Sequence, residues 1–185
     1  MKHPSNREFF AYWDDKRGHA RAPDRSDIEP GPVRELLGNI FVLSYDKKAG
    51  FPFRVAGTRV CALLARDLKG DSFPLLFAPE SRADIEEIVT VVAEELLVAV
   101  AGVTAIAENG AKVHLELLLL PFNTRAHTPI SLTGLLAPFS DARGKLGPFT
   151  LTSFRYLSHP PQAFKPRMLR KWQAARGLMV YEGLR

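Results

Sequence analysis

Few residues in this chain are spaced for chemistry. Cys61 is the only cysteine. It lies in Val60-Cys61-Ala62-Leu63-Leu64, a helix-like apolar segment where a thiol is ordinarily a small buried side chain rather than a nucleophile. His114 and Glu116 alternate on one face of a β-rich run. Two groups without a third make no mechanism, so they read as a solvent-facing polar pair. The histidines His3, His19, His114, His127 and His159 show neither HExxH nor His/Cys pairs at zinc spacing. Asp14, Asp15, Asp24, Asp27 and Glu29 form an acidic cluster, but not with the spacing of an EF-hand loop; the interleaved Arg17, Arg21 and Arg25 point to ion pairs instead. No GxSxG elbow, GxGxxG or GxxxxGK[ST] loop occurs. These residues supply no nucleophile, metal set or acid/base pair, and the chain is read as a non-enzyme.

The elements that would position these groups follow from local patterns. Ser5-Asn6-Arg7-Glu8 has capping-box spacing and Gly18 supplies a stop, which predicts a three-turn helix carrying Phe9, Phe10, Tyr12 and Trp13 as one aromatic face. Pro23, Pro30 and Pro32 break the following stretch, after which residues 33–37 form a short helix. Residues 40–45 (IFVLSY) and 51–55 (FPFRV), joined by a polar loop ending in Gly50, predict an antiparallel pair. A short helix follows Gly57. A longer one begins near Pro79 or Ser81, with Ile85, Ile88, Val89, Val92 and Leu96 on one stripe. Residues 100–107 and 112–122 read as strands joined at Glu108-Asn109-Gly110, because Asn-Gly readily takes the positive φ of tight hairpin turns. Residues 129–139 give a further strand and 149–157 a short extra one. A basic amphipathic helix over about 166–175 closes the series, with Trp172 expected to dock on the domain. Two strands, a helical crossover and a meander make an α+β domain: one antiparallel sheet with the helices gathered on one side.

With 185 residues, 46% apolar and 24% charged, the chain fits one globular domain large enough to fold without disulfides or structural metal. Its parts are read as an N-terminal helical extension (1–38), a central domain (39–140) and a C-terminal strand, loop and basic helix (141–185). Net charge is +5, and residues 121–185 hold ten basic against two acidic side chains. That tail reads as a solvated helix, and nucleic acid is not expected as a partner, because net charge alone is not a contact surface. Apolar runs are too short to span a bilayer, no secretory h-region is present, and a cytoplasmic location is expected. The first helix lies outside the sheet-and-crossover unit, so its aromatic face must either cover that unit's edge or meet a second copy or another protein.

Several stretches resemble the single-domain PAS-like proteins common in alphaproteobacteria. They are Tyr12-Trp13, Arg21-Ala22-Pro23-Asp24-Arg25-Ser26-Asp27-Ile28 with Pro30, Phe53-Arg54-Val55-Ala56-Gly57-Thr58, Arg66-Asp67-Leu68-Lys69-Gly70, and Leu115 onward through Pro121. The resemblance covers roughly residues 8–140. It implies a PAS fold, with a five-stranded antiparallel sheet in the order 2-1-5-4-3 whose concave face and crossover helices enclose a small pocket. On this chain that pocket would be lined by Val55, Cys61, Leu64, Phe73, Phe77, Leu117 and Leu119, and would hold a small apolar ligand or be packed shut. The resemblance implies a sensory or adaptor module, associating as a homodimer or with a protein partner through Phe9, Phe10, Tyr12 and Trp13. A small-molecule carrier or enzyme on the same fold is the alternative. The cofactor is left unassigned: the Asn-Cys-Arg-Phe-Leu-Gln signature of photoactive flavin domains is missing around Cys61, and no histidine falls between Thr58 and Val98 to ligate haem.

Overall fold

The computed structural model describes residues 1–124, 129–140, 145–157, 169–174 and 178–183. Helix α1 spans Pro4–Arg17, with His3 as its N-cap: the imidazole Nδ1 accepts from the Ser5 amide at 3.2 Å, and Pro4 sits in the first turn. The cap therefore lies two residues before the serine that the sequence favoured, because a proline at the first helical position costs no hydrogen bond. Gly18 ends the helix at φ +53°, as expected.

Strands β1 (Ile40–Ser44) and β2 (Phe53–Ala56) form the expected hairpin. Helices α2 (Thr58–Leu64) and α3 (Pro79–Glu95) cross over to β3 (Val98–Ile106) and β4 (Lys112–Pro121). The β3–β4 turn closes at Asn109-Gly110, where Gly110 takes φ +80° and the Asn109 side chain accepts from the Ala111 amide. β5 (Ser131–Pro138) and β6 (Thr150–Leu157) complete one antiparallel sheet in the order β2-β1-β5-β4-β3-β6. The expected order is present, with a sixth strand paired to the free edge of β3.

The helices do not gather on one side. α2 and α3 cover the front face, where Phe41, Leu43, Ala101, Val103, Leu115, Leu117, Leu119 and Leu136 join the side chains of Ile85, Ile88, Val89 and Val92. α1 covers the back, where Phe9 and Trp13 pack with Val98, Val100, Leu118, Leu120 and Leu135. Residues 1–38, read as an extension, thus supply a third layer. β4 from Leu115 to Pro121 is buried on both faces, so its apolar residues run on without the alternation of a half-wet strand.

The C-terminal basic helix is also replaced. Leu169–Ala174 and Leu178–Gly183 form a separate hairpin, β7 and β8, pairing Trp172 with Val180 and Lys171 with Tyr181. The β-favouring run Leu178-Met179-Val180-Tyr181 begins four residues after Ala174 in the sequence, and such a local partner competes with the helix. The side chain of Trp172 lies outside what is described.

Gly57 shows how close the packing is. A Cβ there would stand 2.3 Å from the Leu37 carbonyl oxygen and 2.4 Å from that of Gly38, so the requirement is space rather than positive φ. Gly57→Val is expected to cost about 1–3 kcal/mol, read as a lowered denaturation midpoint in urea. An unchanged midpoint would show that this approach can relax.

Candidate functional site

The residues expected to line an interior pocket do not all share one place. Leu64, Phe73, Phe77, Leu117 and Leu119 are buried together in the front core. Phe41, Phe53, Phe73, Phe77 and Phe149 form a continuous chain of rings there, with successive centroids 5.5–5.7 Å apart. Cys61 is half-buried at its margin, with Sγ 3.9 Å from the Ala56 carbonyl oxygen. Val55 is on the other side of the sheet and 53% exposed. A bulge explains this: Val42 pairs with Val55 but Leu43 pairs with Phe53, leaving Arg54 as an extra residue. The inserted residue reverses the in/out phase of the strand, so Phe53 points to the front core and Val55 to the back.

The aromatic face of α1 is also resolved differently from the expectation of an interface. Phe9 and Trp13 are 0% exposed against the chain's own sheet, while Phe10 and Tyr12 are half-buried beside them. The Trp13 indole Nε1 donates to the Pro121 carbonyl at 2.9 Å. Arg17, itself buried, lies over the Trp13 ring and pairs with Asp14 at 2.6 Å. The acidic cluster thus yields the ion pair Arg17–Asp14, while Asp24 and Asp27 cap a short 3-10 turn through Asp24 N to Asp27 Oδ2. Among the described residues no group of three or more His, Cys, Asp or Glu is placed to hold a metal.

Glu116 is the site residue that the sequence misread. It is 5% exposed and lies between Gly102 on β3 and Ala137 on β5. Its carboxylate accepts from the Lys2 amide at 2.6 Å, the His3 amide at 2.8 Å and the Asn6 Nδ2 at 3.1 Å. Asn6 Nδ2 also donates to the Glu116 carbonyl. Burial pushes the Glu116 carboxyl up, but the Lys2 and His3 amides and the Asn6 side chain outweigh it and hold the group below its ordinary value. A negative charge at the start of α1 is favoured further by the helix dipole. Glu116 is therefore the latch that seats α1.

α1 is narrower than the sheet it covers. Six strands span roughly 24 Å at about 4.8 Å spacing, against a helix diameter near 10 Å, so back-face surface remains on both flanks. On the β1–β2 flank lies an apolar cleft of about 400 Å³, lined by Phe9, Ile28, Val33, Leu37, Val42 and Val55 among others. Leu37, 40% exposed, and Val55 stand open at its rim. On the β3–β6 flank lies a cleft of about 370 Å³ in which Lys2, His114, Glu116, Thr152, Ser153 and Arg155 form a polar part beside apolar residues such as Phe139 and Phe154, more polar than the first cleft.

The order β2-β1-β5-β4-β3 with its helical crossover lies, but for Pro138 at the end of β5, within the residues matched by the PAS domain family, which are 1–137. The chain belongs to the PAS domain family. Similar solved structures include a light-oxygen-voltage domain studied with a flavin analogue, at 13% identity and TM-score 0.46 over 59% of this chain and 82% of that one. The Rhodobacter sphaeroides LOV protein is 11% identical, with TM-score 0.45 over 77% of this chain and 71% of that one. The PAS domain of an HTR-like protein from Haloarcula marismortui is 19% identical, with TM-score 0.42 over 58% and 88%. No curated protein matches the chain. In this PAS domain α1 and its latch fall within the matched residues, whereas β6 lies beyond them. No helix among the described residues is long and apolar enough to cross a membrane.

The latch makes a pH prediction. Because the folded-state value of Glu116 is lowered, its contribution is complete above the unfolded glutamate pKa, ~4.3, and is lost as pH falls through the folded value. In a Trp172→Phe background, Trp13 fluorescence should report loosening of α1 on acidification. Glu116→Gln should already be destabilised at pH 7 and should show a flatter midpoint between pH 7 and 3. Parallel profiles for the two proteins would remove Glu116 from this role.

Proposed function

We propose that this PAS domain is a cytoplasmic sensory or adaptor module with no catalytic step of its own, and that it receives a small apolar ligand in the back-face cleft beside α1. One observation carries the reading. Phe9 of α1 and Val42 and Val55 of the β1–β2 hairpin face the same space, so an occupant touches helix and sheet together and its binding energy bears directly on how α1 is seated. In the front core the rings of Phe41, Phe53, Phe73, Phe77 and Phe149 pack on one another. A volume of about 400 Å³ suits a small molecule, and the exposed Leu37 and Val55 give it an apolar entrance. Occupancy would be passed to a protein partner through the outer surface of α1, where Phe10 and Tyr12 are half-buried.

The neutral dye Nile red is the probe. Its emission should rise on binding to the unmodified protein, and Val55→Arg should abolish most of that rise while leaving the thermal midpoint nearly unchanged, since an exposed position tolerates charge. Equal dye binding by both proteins would place any ligand elsewhere. Native mass spectrometry of freshly purified protein should show a retained small apolar molecule that Val55→Arg loses.

A further inference from the structure

On the opposite flank of α1, the polar cleft has a construction that the apolar site does not use. Its floor is Gly102, where the absent side chain leaves the backbone open. A register shift between β3 and β6 pairs Gly102 with Ser153 and Val103 with Leu151, making Thr152 the extra residue. As a result two consecutive side chains point to one spot: Thr152 Oγ1 and Ser153 Oγ each lie 2.9 Å from where a Gly102 Cβ would be. Arg155 lies two residues further along β6, opposite Val100, whose side chain faces the back of the sheet. Lys2 and His114 complete the polar wall, with Phe139 at one end.

The donors of this cleft are uncommitted. Among the described residues, the side chains of Lys2, His114, Thr152, Ser153 and Arg155 enter no hydrogen bond or ion pair. Glu116 is the one carboxylate in the cleft, and its oxygens are already taken by the Lys2 and His3 amides and by Asn6. Two cationic side chains and two hydroxyls thus surround a glycine floor, outnumbering the single Glu116 charge, whose oxygens are turned to the amides that seat α1. Guanidinium, ammonium and hydroxyl donors together match an oxyanion, and the exposed Phe139 ring offers an apolar surface to the body that carries it.

We infer that this cleft binds a small molecule bearing a phosphate or carboxylate group, seated over Gly102 and held by Arg155 with the Thr152 and Ser153 hydroxyls. The site is separate from the apolar cleft and stands or falls independently of it. Because Lys2 contributes both a wall of this cleft and an amide to the Glu116 latch, an anion here also steadies the N-terminal end of α1.

The test uses phenyl phosphate and benzoate, which share a ring and differ in the anion, titrated calorimetrically into the full chain. At least one should bind, with inorganic phosphate competing, and the tighter of the two names the head group. Arg155→Gln should weaken binding about tenfold or more. Gly102→Ala, which fills the floor without changing charge, should weaken it as well. Neither substitution should alter Nile red binding, which reports the other cleft. Absence of binding by both probes at about 10 mM, or affinity that Arg155→Gln and Gly102→Ala leave unchanged, would overturn the assignment.

Discussion

A sheet whose central strands have no face to give to water is the constraint from which the rest of this structure follows. Leu115, Leu117 and Leu119 need a front cover, and Leu118 and Leu120 need a back one. The crossover helices that connect β2 to β3 supply the first. The second has to come from elsewhere in the chain, and α1 is brought from the N-terminus to provide it. Burying Phe9 and Trp13 there stabilises by roughly 1.5–3 kcal/mol for each large side chain, but apolar contact is non-directional and would allow the helix to slide. The directional bonds fix it: Trp13 to the Pro121 carbonyl at one end and the Glu116 latch at the other.

A single helix across a six-stranded sheet also decides where binding surfaces arise. The middle of the back face is dry, and its flanks are left as clefts of opposite character. The β1–β2 flank inherits apolar side chains because the Arg54 bulge turns Val55 outward. The β3–β6 flank inherits polar ones because the Thr152 bulge turns two hydroxyls inward over a glycine. Both clefts touch residues that seat α1, Phe9 on one side and Lys2 on the other, so the position of α1 is the common variable for anything that binds either.

Most of the strand layout was legible in the sequence, because it rests on short-range signals: Asn109-Gly110, the polar loop before Phe51, and the apolar stripe of α3. The front core was legible for the same reason. Val55 was misplaced because a bulge leaves no mark on alternation until the pairing partner is known; Phe53, Arg54 and Val55 read equally well in either phase. Glu116 was misread because two of its three partners are backbone amides, which have no sequence signature, and all three lie more than a hundred residues away. The aromatic face of α1 was recognised as needing burial, but a periodicity cannot say whether the surface that buries it lies on the same chain or another. The final hairpin was missed because charge spacing suggested a helix, while the strand partner that decided the matter came only afterwards, at Leu178-Met179-Val180-Tyr181.

The pairing of β6 with β3 has a consequence for biosynthesis. β3 reads Val-Ala-Val-Ala-Gly-Val-Thr-Ala-Ile, without a charge or proline to discourage pairing with a stranger. Its partner on one side, β4, is made at once, but the strand that closes its other edge is complete only when Leu157 has been added. At a translation rate of about 5–20 residues per second, the nascent chain carries this open, uncharged strand for several seconds. The sixth strand is thus the piece that ends the period in which neighbouring chains on a polysome can join edge to edge.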